Sequence, residues 1–246
     1  MLSRLQVMSV VVDPPLVRPG DIPTATAWIA DPEDEGYELL LWTCTDFGEG
    51  CLEVLFDLEE WTHTPVVSNG TSQPWIPEVD TESVPAGYQV PVSVFALACA
   101  PGLCPEIARV RAGDGSVAEI LADPGAFGMS LPIEGTSIVR RGLEVTSDAN
   151  ARENGNPDVT SRPFPTAYER VSTGSSVILL FVVSDETDMT SDGFATGGTM
   201  DSGSWSGHDL TFVWQAPNEP GLYDLWVTIE DGTGGSAVWR GTSQVE

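Results

Sequence analysis

The sequence predicts an all-β protein made of two tandem immunoglobulin-like β-sandwich domains. Short apolar segments recur about every ten residues with turn-forming residues between them, as in sandwich strands. The 246 residues include 25 Gly and 19 Pro, a content typical of loop-rich all-β chains, and helical heptads are absent. We place the first domain at 1–145, a polar linker at 146–156 and the second domain at 157–246.

The first domain opens as a strand, a turn and a second strand. An apolar run ends at Pro14, a turn follows at Gly20, and apolar residues alternate from Ala25 to Ile29. Further strands are predicted at 37–44 (YELLLWTC), 88–99 (YQVPVSVFALAC) and 136–146 (TSIVRRGLEVT).

Long loops separate these strands of the first domain. Residues 62–89 are polar and Pro-rich and are predicted to be mostly loop. One short helix fits GSVAEILAD at 115–123, while the apolar spacing of 52–61 fits either a helical turn or an irregular strand. The first domain is therefore predicted to be a sandwich with long insertions and one short helix.

The second domain shows the clearest strand pattern. VILLFVV at 177–183 is predicted to be a buried strand, and GLYDLWVTIEDG at 221–232 alternates two sets of side chains. Shorter or terminal strands follow the same turn spacing at 193–199, 209–217 and 236–245.

The charge balance excludes some partners. The chain has 37 acidic residues and 10 basic ones, all Arg, for a net charge of −27. Nucleic acid and anionic membrane surfaces both require a positive face, so we expect neither as a partner. The longest apolar run has the length of a strand, so no transmembrane segment is expected. The opening residues show no apolar core followed by a cleavage site, so no secretory signal is expected there.

Four cysteines form two close pairs, Cys44 with Cys51 and Cys99 with Cys104. If the strands that end at Cys44 and Cys99 are antiparallel neighbours, these two cysteines lie at opposite ends of the sheet. Two local disulfides are therefore favoured over a cross-sheet bridge or a four-thiolate zinc site, whose usual spacings the first pair exceeds. Disulfides indicate an extracytoplasmic protein, with a reduced cytosolic protein as the alternative.

The segment LTFVWQAPNEPGLYDLWVTIEDGTGGSAVW at 210–239 resembles the C-terminal half of bacterial immunoglobulin-like surface domains of the PKD and cadherin-like kind. The segment at 10–36 is similar to the start of such domains. The whole chain also resembles uncharacterised lipoprotein-like surface proteins of myxobacteria and relatives. The resemblance implies two non-catalytic β-sandwiches at a cell surface, periplasm or outer membrane.

Acidic residues between two strands of the second domain suggest a calcium site. Asp185, Asp188 and Asp192 offer carboxylate oxygens, and nearby glycines offer turns. The spacing does not match an EF-hand, because Asp188 and Asp192 are four residues apart. A hydrated turn is therefore the favoured interpretation, and calcium is the alternative and the one candidate cofactor.

Catalytic constellations are not evident, and loop tryptophans are the remaining candidates for binding. The two histidines, His63 and His208, fall in separate domains, which argues against a Ser-His-Asp triad. Trp61, Trp75 and Trp205 are predicted to lie in loops, where aromatic rings bind partners or sugars or close the ends of a sandwich.

The sequence thus predicts a non-enzymatic extracytoplasmic module that binds a protein partner or builds a larger surface assembly. A calcium-dependent adhesin or glycan-binding module is the second hypothesis. A hydrolase with a pair of carboxylates is the third, although the sequence singles out no such pair among 37 acids.

Overall fold

A computed structural model describes residues 4–44, 66–102, 135–151, 155–161, 170–184, 189–232 and 234–246. These residues form seventeen β-strands and, within the same ranges, no helix. They divide into two compact units, Arg4–Gly155 and Asn156–Glu246. The predicted all-β class with two immunoglobulin-like sandwiches is confirmed. The segments 52–61 and 115–123, including the short helix predicted there, lie outside the described residues.

The described residues of the first unit form eight strands. They are β1 (Gln6–Asp13), β2 (Leu16–Val17), β3 (Thr24–Ala30), β4 (Tyr37–Cys44), β5 (Val66–Ser68), β6 (Ser72–Trp75), β7 (Gln89–Cys99) and β8 (Thr136–Thr146). The expectation that 62–89 is mostly loop missed β5 and β6, whose few apolar residues gave too short a pattern to identify a strand.

Two sheets enclose the core of the first unit. One has the order β1-β3-β6 and the other the order β2-β8-β7-β4-β5. Alternate residues of the paired strands face inward because successive side chains of a strand point to opposite sides. The largest fully buried side chains of this core are those of Ile29, Tyr37, Leu39 and Leu143.

In the second unit, the residues that the structure describes form nine strands. They are β9 (Val159–Ser161), β10 (Arg170–Val171), β11 (Ser176–Val183), β12 (Thr190–Ala195), β13 (Thr199–Met200), β14 (Ser204–Ser206), β15 (Asp209–Gln215), β16 (Gly221–Glu230) and β17 (Ser236–Val245).

These strands also form two sheets around a core. One has the order β13-β15-β11-β9, with β14 also paired to β15, and the other the order β10-β17-β16-β12. Phe181, Phe212 and Trp214 are fully buried between them. The Phe181 ring packs edge-on against Phe212 and Trp239, with centroids 6.4 and 5.0 Å apart. Large aromatic rings thus fill this core, where they bury more area than aliphatic side chains.

One pairing recurs in both units and supports the immunoglobulin-like assignment. A two-residue strand near the start of each unit runs parallel to the last strand: β2 pairs with β8, and β10 with β17. The other pairs described between strands are antiparallel. The chain therefore begins in one sheet and crosses early to the other, as in immunoglobulin-like sandwiches with Greek-key connections.

The outer edge of β1 is closed by side chains from β8. Ser137 Oγ accepts a 2.9 Å hydrogen bond from the Val7 N–H. Arg141 Nε donates to the Val10 carbonyl at 3.4 Å, and Arg141 Nη2 donates to Ser9 Oγ at the same distance. An exposed strand edge is a template for pairing with another chain, and these contacts occupy part of it. Arg141, which is only 9% exposed, thus helps to seal the sandwich.

In the part of the chain that the structure describes, no helix is long and apolar enough to cross a membrane.

Candidate functional site

The structure places Asp192 in a strand rather than in a loop. Asp192 lies within β12, opposite Thr228 of β16, and is exposed. The next residue, Gly193, faces the core, so the Asp192 side chain lies on the outer face of the sheet. The loop expected to contain all three acidic residues is therefore shorter than predicted, and Asp185 and Asp188 lie outside the described residues.

The glycines expected to form calcium-holding turns mostly serve packing. A Cβ atom on Gly193 would lie 2.7 Å from Met200 Cγ, and one on Gly197 would lie 2.1 Å from Tyr223 Cε1. Gly198 does occupy a turn, with φ of +74°. Two of the three glycines are therefore required by the close approach of core side chains. Glycine is required at Gly193 and Gly197 because it has no side chain, and not because its backbone can adopt unusual dihedral angles.

The calcium prediction remains untested by the geometry. Within the described ranges, no three His, Cys, Asp or Glu side chains form a group that could hold a metal ion. Asp185 and Asp188 lie outside these ranges. Melting curves with EDTA and with millimolar calcium test the prediction, and an unchanged melting temperature would contradict it.

The strands that carry two of the cysteines are antiparallel neighbours, as the disulfide prediction required. Cys44 lies opposite Ser93, and Cys99 lies opposite Glu38 at the other end of the pair. Six residues of strand separate the two positions, about 20 Å, whereas a disulfide requires Cα atoms within about 7 Å. Cys99 is disulfide-bonded. The pairing with Cys104 stays a prediction, because Cys51 and Cys104 lie outside the described residues.

Two of the three candidate binding tryptophans lie in strands, so the prediction that they lie in loops is wrong. Trp75 is in β6 opposite Ala25, and Trp205 is in β14 opposite Leu210. Both are partly buried against the core of their own unit. The polar residues beside these tryptophans suggested loops. In an edge strand, however, exposed polar side chains alternate with a tryptophan ring that packs on the core. Trp61 lies outside the described residues.

His208 lies in the turn between β14 and β15. Its Nδ1 atom is 3.0 Å from the Val183 carbonyl oxygen, within hydrogen-bonding distance. Ser204 and Ser206, the serines nearest in sequence, lie in β14 on either side of Trp205. The described contacts of His208 therefore tie a turn to β11. His63, the other histidine, lies outside the described residues.

The outer face of β11 carries an apolar surface that sequence reasoning missed. Leu179, Phe181 and Val183 are buried in the core, so the alternate residues face outward. Ile178 is 57% exposed and lies opposite Val213 of β15, whose side chain is also on the outer face. We call this set the β11 stripe, and it comprises Ile178, Leu180, Val182 and Val213. The apolar run from 177 to 183 is predicted from the sequence to be a buried strand, whereas three of its seven side chains face outward.

Part of the outer face of the opposite sheet carries polar groups that are paired with one another. Arg240 Nη2 donates a 2.8 Å hydrogen bond to Asp224 Oδ2, and Thr242 Oγ1 donates to Asp224 Oδ1 at 2.9 Å. The Arg240 guanidinium also lies 5.1 Å from the centre of the Trp226 ring, a cation–π arrangement. These groups satisfy one another, which distinguishes this face from the β11 stripe.

Comparisons with known proteins do not assign the chain to a family. No protein-family model and no curated sequence matches the chain. Similar solved structures include the fibronectin(III)-like modules of Clostridium thermocellum CbhA, at 10% identity and a TM-score of 0.29, covering 96% of this chain and 93% of that one. The D0-D1 domain of Intimin has 9% identity and a TM-score of 0.26, with 96% and 98% covered. The protocadherin gammaB7 EC3-6 chain has 15% identity and a TM-score of 0.28, with 96% of this chain and 46% of that chain covered. At these TM-scores the likenesses carry no conclusion, and the fold assignment rests on strand order and pairing.

Proposed function

We propose that the chain is a non-enzymatic module outside the cytoplasm, at the cell surface or in the envelope, that binds another protein. The observation that carries the proposal is the β11 stripe. Outward positions of a sandwich strand are ordinarily polar, because one face of an antiparallel sheet meets water. On β11, three consecutive outward positions, Ile178, Leu180 and Val182, are apolar instead.

Burial of this stripe by a partner would be favourable. Fully burying a side chain such as that of Ile178 contributes about 1.5–3 kcal/mol through the hydrophobic effect. Contiguous apolar patches at the surface of soluble proteins mark interaction sites, and in this patch Ile178 is exposed while Leu180, Val182 and Val213 are half-buried. A protein surface with its own apolar centre and polar rim would cover the stripe and leave the surrounding polar groups hydrated.

Charge and cysteine chemistry support the class of partner and the compartment. A net charge of −27 repels nucleic acid and anionic lipid, so a protein is the favoured partner. The disulfide at Cys99 fits an oxidising compartment, where such bonds persist. A module of this kind acts through sheet faces and strand edges rather than through bond chemistry.

Cross-linking on intact cells that produce the protein tests the proposal. The double variant Ile178→Thr/Leu180→Thr places β-branched Thr side chains, which suit a strand, in β11 and removes two of the four apolar side chains of the stripe. Leu222→Thr is the matched control, because Leu222 is 70% exposed on β16 in the other sheet. We expect wild type and the control to cross-link to the same envelope protein, and the double variant to lose that cross-link while keeping its melting temperature.

Two results would contradict the proposal. One is an unchanged cross-linking pattern in the double variant. The other is recovery of the wild-type protein, with reduced cysteines, in the cytosolic fraction.

A further inference from the structure

β12 differs from the other edge strands of the described residues, although longer strands such as β17 also extend past their short edge partners. β2, β5, β9, β10, β13 and β14 are edge strands of only two or three residues. β6 contains Pro74, which has no N–H to offer a new strand. Side chains of Ser137 and Arg141 occupy part of the outer edge of the eight-residue β1. β12 has six residues, no proline, and in the described part of the chain no strand or side chain that closes its outer edge.

The hydrogen-bond pattern shows which backbone groups this edge offers. The Thr196 N–H donates to the Asp224 carbonyl at 3.0 Å, so these two residues form a hydrogen-bonded pair. In an antiparallel ladder such pairs alternate, so the backbone groups of Thr190, Asp192 and Phe194 point toward β16. Those of Ser191 and Gly193 point the other way. They present N–H and C=O groups in the geometry that a further strand requires.

The side chains of β12 define the surface that such a strand would meet. Asp192 and Phe194 lie two residues apart on the outer face, opposite Thr228 and Trp226. On the inner face Gly193 has no side chain, and Met200 and Phe212 already fill the space beneath it. The edge is therefore flat at Gly193 and carries its recognition groups, one carboxylate and one aromatic ring, on a single face.

From this edge we propose that β12 binds an extended segment of a partner protein by β-strand addition. The segment carries Lys or Arg opposite Asp192 and, two residues along on the same face, an apolar side chain beside Phe194. Main-chain hydrogen bonds to Ser191 and Gly193 supply affinity, and the alternate side chains supply specificity. The inference rests on the proposed function, because it names a second contact by which the same module holds a protein.

Charge selects a foreign segment over a second copy of this chain. Opposite charges across neighbouring strands attract, and like charges directly opposite are destabilising. Two β12 strands paired antiparallel would bring their Asp192 carboxylates toward each other, and each chain carries a net charge of −27. A strand with cationic and apolar side chains is repelled neither by Asp192 nor by the net negative charge of the chain.

The test uses the full chain and a nine-residue peptide of alternating Thr with Val, Lys, Val and Val. One matched peptide has Glu in place of Lys, and another has N-methylated Thr residues that cannot form the ladder. Amide resonances and hydrogen exchange of Ser191 and Gly193 are followed by NMR. We expect the Lys peptide to shift both resonances and slow their exchange, the Glu peptide to bind roughly tenfold more weakly, and the methylated peptide not to bind.

Variants of the chain locate the site. Asp192→Lys should reverse the preference between the Lys and Glu peptides. Ser191→Pro removes a free donor and should abolish binding, whereas Ser191→Ala keeps the donor and should bind like wild type. If Ser191→Pro does not fold, the methylated peptide still reports on the ladder.

Three outcomes would overturn the inference. Equal binding of the Lys and Glu peptides would remove the role of Asp192. Peptide-induced shifts confined to the β11 stripe would place the contact elsewhere while leaving the proposed function standing. A dimer of the chain alone that Ser191→Pro dissociates would make a second copy the occupant.

Discussion

The indole Nε1 of Trp214 donates a 2.9 Å hydrogen bond to the carbonyl oxygen of Gly197, and both residues are buried. This contact joins the turn between β12 and β13 to the C-terminal end of β15. A buried indole N–H requires an acceptor, and the close approach of Gly197 supplies it. The glycine-rich turn at Gly197 and Gly198 is thus a packed part of the core.

We expect Gly197→Ala to lower the free energy of unfolding by about 1–3 kcal/mol, the usual cost of overpacking a core. The added Cβ would lie 2.1 Å from the Tyr223 ring, which is itself held by a 3.0 Å hydrogen bond from its hydroxyl to the Glu219 carbonyl. Urea unfolding measures the change. Gly142→Ala is the control, since no atom lies within 4 Å of its Cβ position. Equal losses in both variants would contradict the packing explanation.

Patterns that depend on one periodicity were predictable from the sequence. The alternation in 221–232 correctly indicated β16, with Leu225, Val227 and Ile229 facing the core. The segment at 136–146 likewise became β8, although Arg141 faces inward where an apolar residue would be expected. Its long side chain reaches the edge of β1, and no local pattern in the sequence reports a contact 131 residues away.

The candidate surfaces were less predictable, for a physical reason. A continuous apolar run has the same sequence pattern whether both faces of the strand are buried or one is exposed. The β11 stripe could therefore not be identified from residues 177–183 alone. Asp192 was expected in a loop because its neighbours are Ser and Gly, residues of low strand preference. Pairing with β16 overrides that preference, and the free edge of β12 depends on strand order, which the sequence does not report.

Replacing Arg141 with Met should lower the free energy of unfolding by about 1–3 kcal/mol, since the buried Val10 carbonyl and Ser9 hydroxyl lose a donor. Methionine keeps much of the aliphatic length, so the loss reports on hydrogen bonding rather than on a cavity. Urea unfolding of the full chain measures it. Arg170→Met is the control, because the Arg170 side chain is 77% exposed and its contact with the surface carboxylate of Glu246, at 3.7 Å, is an ion pair of little energetic weight. A loss in the control as large as that of Arg141→Met would argue against the edge-closing role.

Stability should fall at alkaline pH because of Tyr37. Burial, the largest cause, raises the pKa of this hydroxyl, and the nearby Asp31 carboxylate raises it further, while a hydrogen bond with Ser68 lowers it. The unfolded chain ionises Tyr37 near its ordinary pKa of about 10. The stabilisation is therefore complete below about pH 10 and is lost as pH rises through the higher folded pKa.

Tyr37→Phe should flatten this alkaline loss, which urea unfolding at several pH values from about 9 to 11 measures. The variant also loses the 2.5 Å hydrogen bond that the Tyr37 hydroxyl donates to the Gly70 carbonyl, so its stability near neutral pH should be lower than that of wild type. Tyr88→Phe serves as the control because Tyr88 is largely exposed. An unchanged alkaline slope in Tyr37→Phe would show that other groups cause it.

The disulfide pairing can be decided by locating the thiol that a single substitution frees. Cys44 and Cys99 lie at opposite ends of the β4–β7 pair and cannot bond to each other. Two pairings of the four cysteines then remain, one local and one crossed between the two close pairs. In Cys104→Ser, local pairing frees Cys99, whereas crossed pairing frees Cys44. Cys51→Ser gives the reverse assignment and serves as the matched control.

We expect alkylation of the denatured, unreduced protein to label no thiol in wild type, Cys99 in Cys104→Ser and Cys44 in Cys51→Ser, as read by peptide mass spectrometry. Closing the six-residue loop between Cys99 and Cys104 should stabilise the fold by about 2 kcal/mol through the lost entropy of the unfolded chain. Cys104→Ser should therefore also unfold at a lower urea concentration than wild type. Labelling of Cys44 in that variant would establish the crossed pairing, and labelling of all four thiols in wild type would remove the support that cysteine chemistry gives to an extracytoplasmic location.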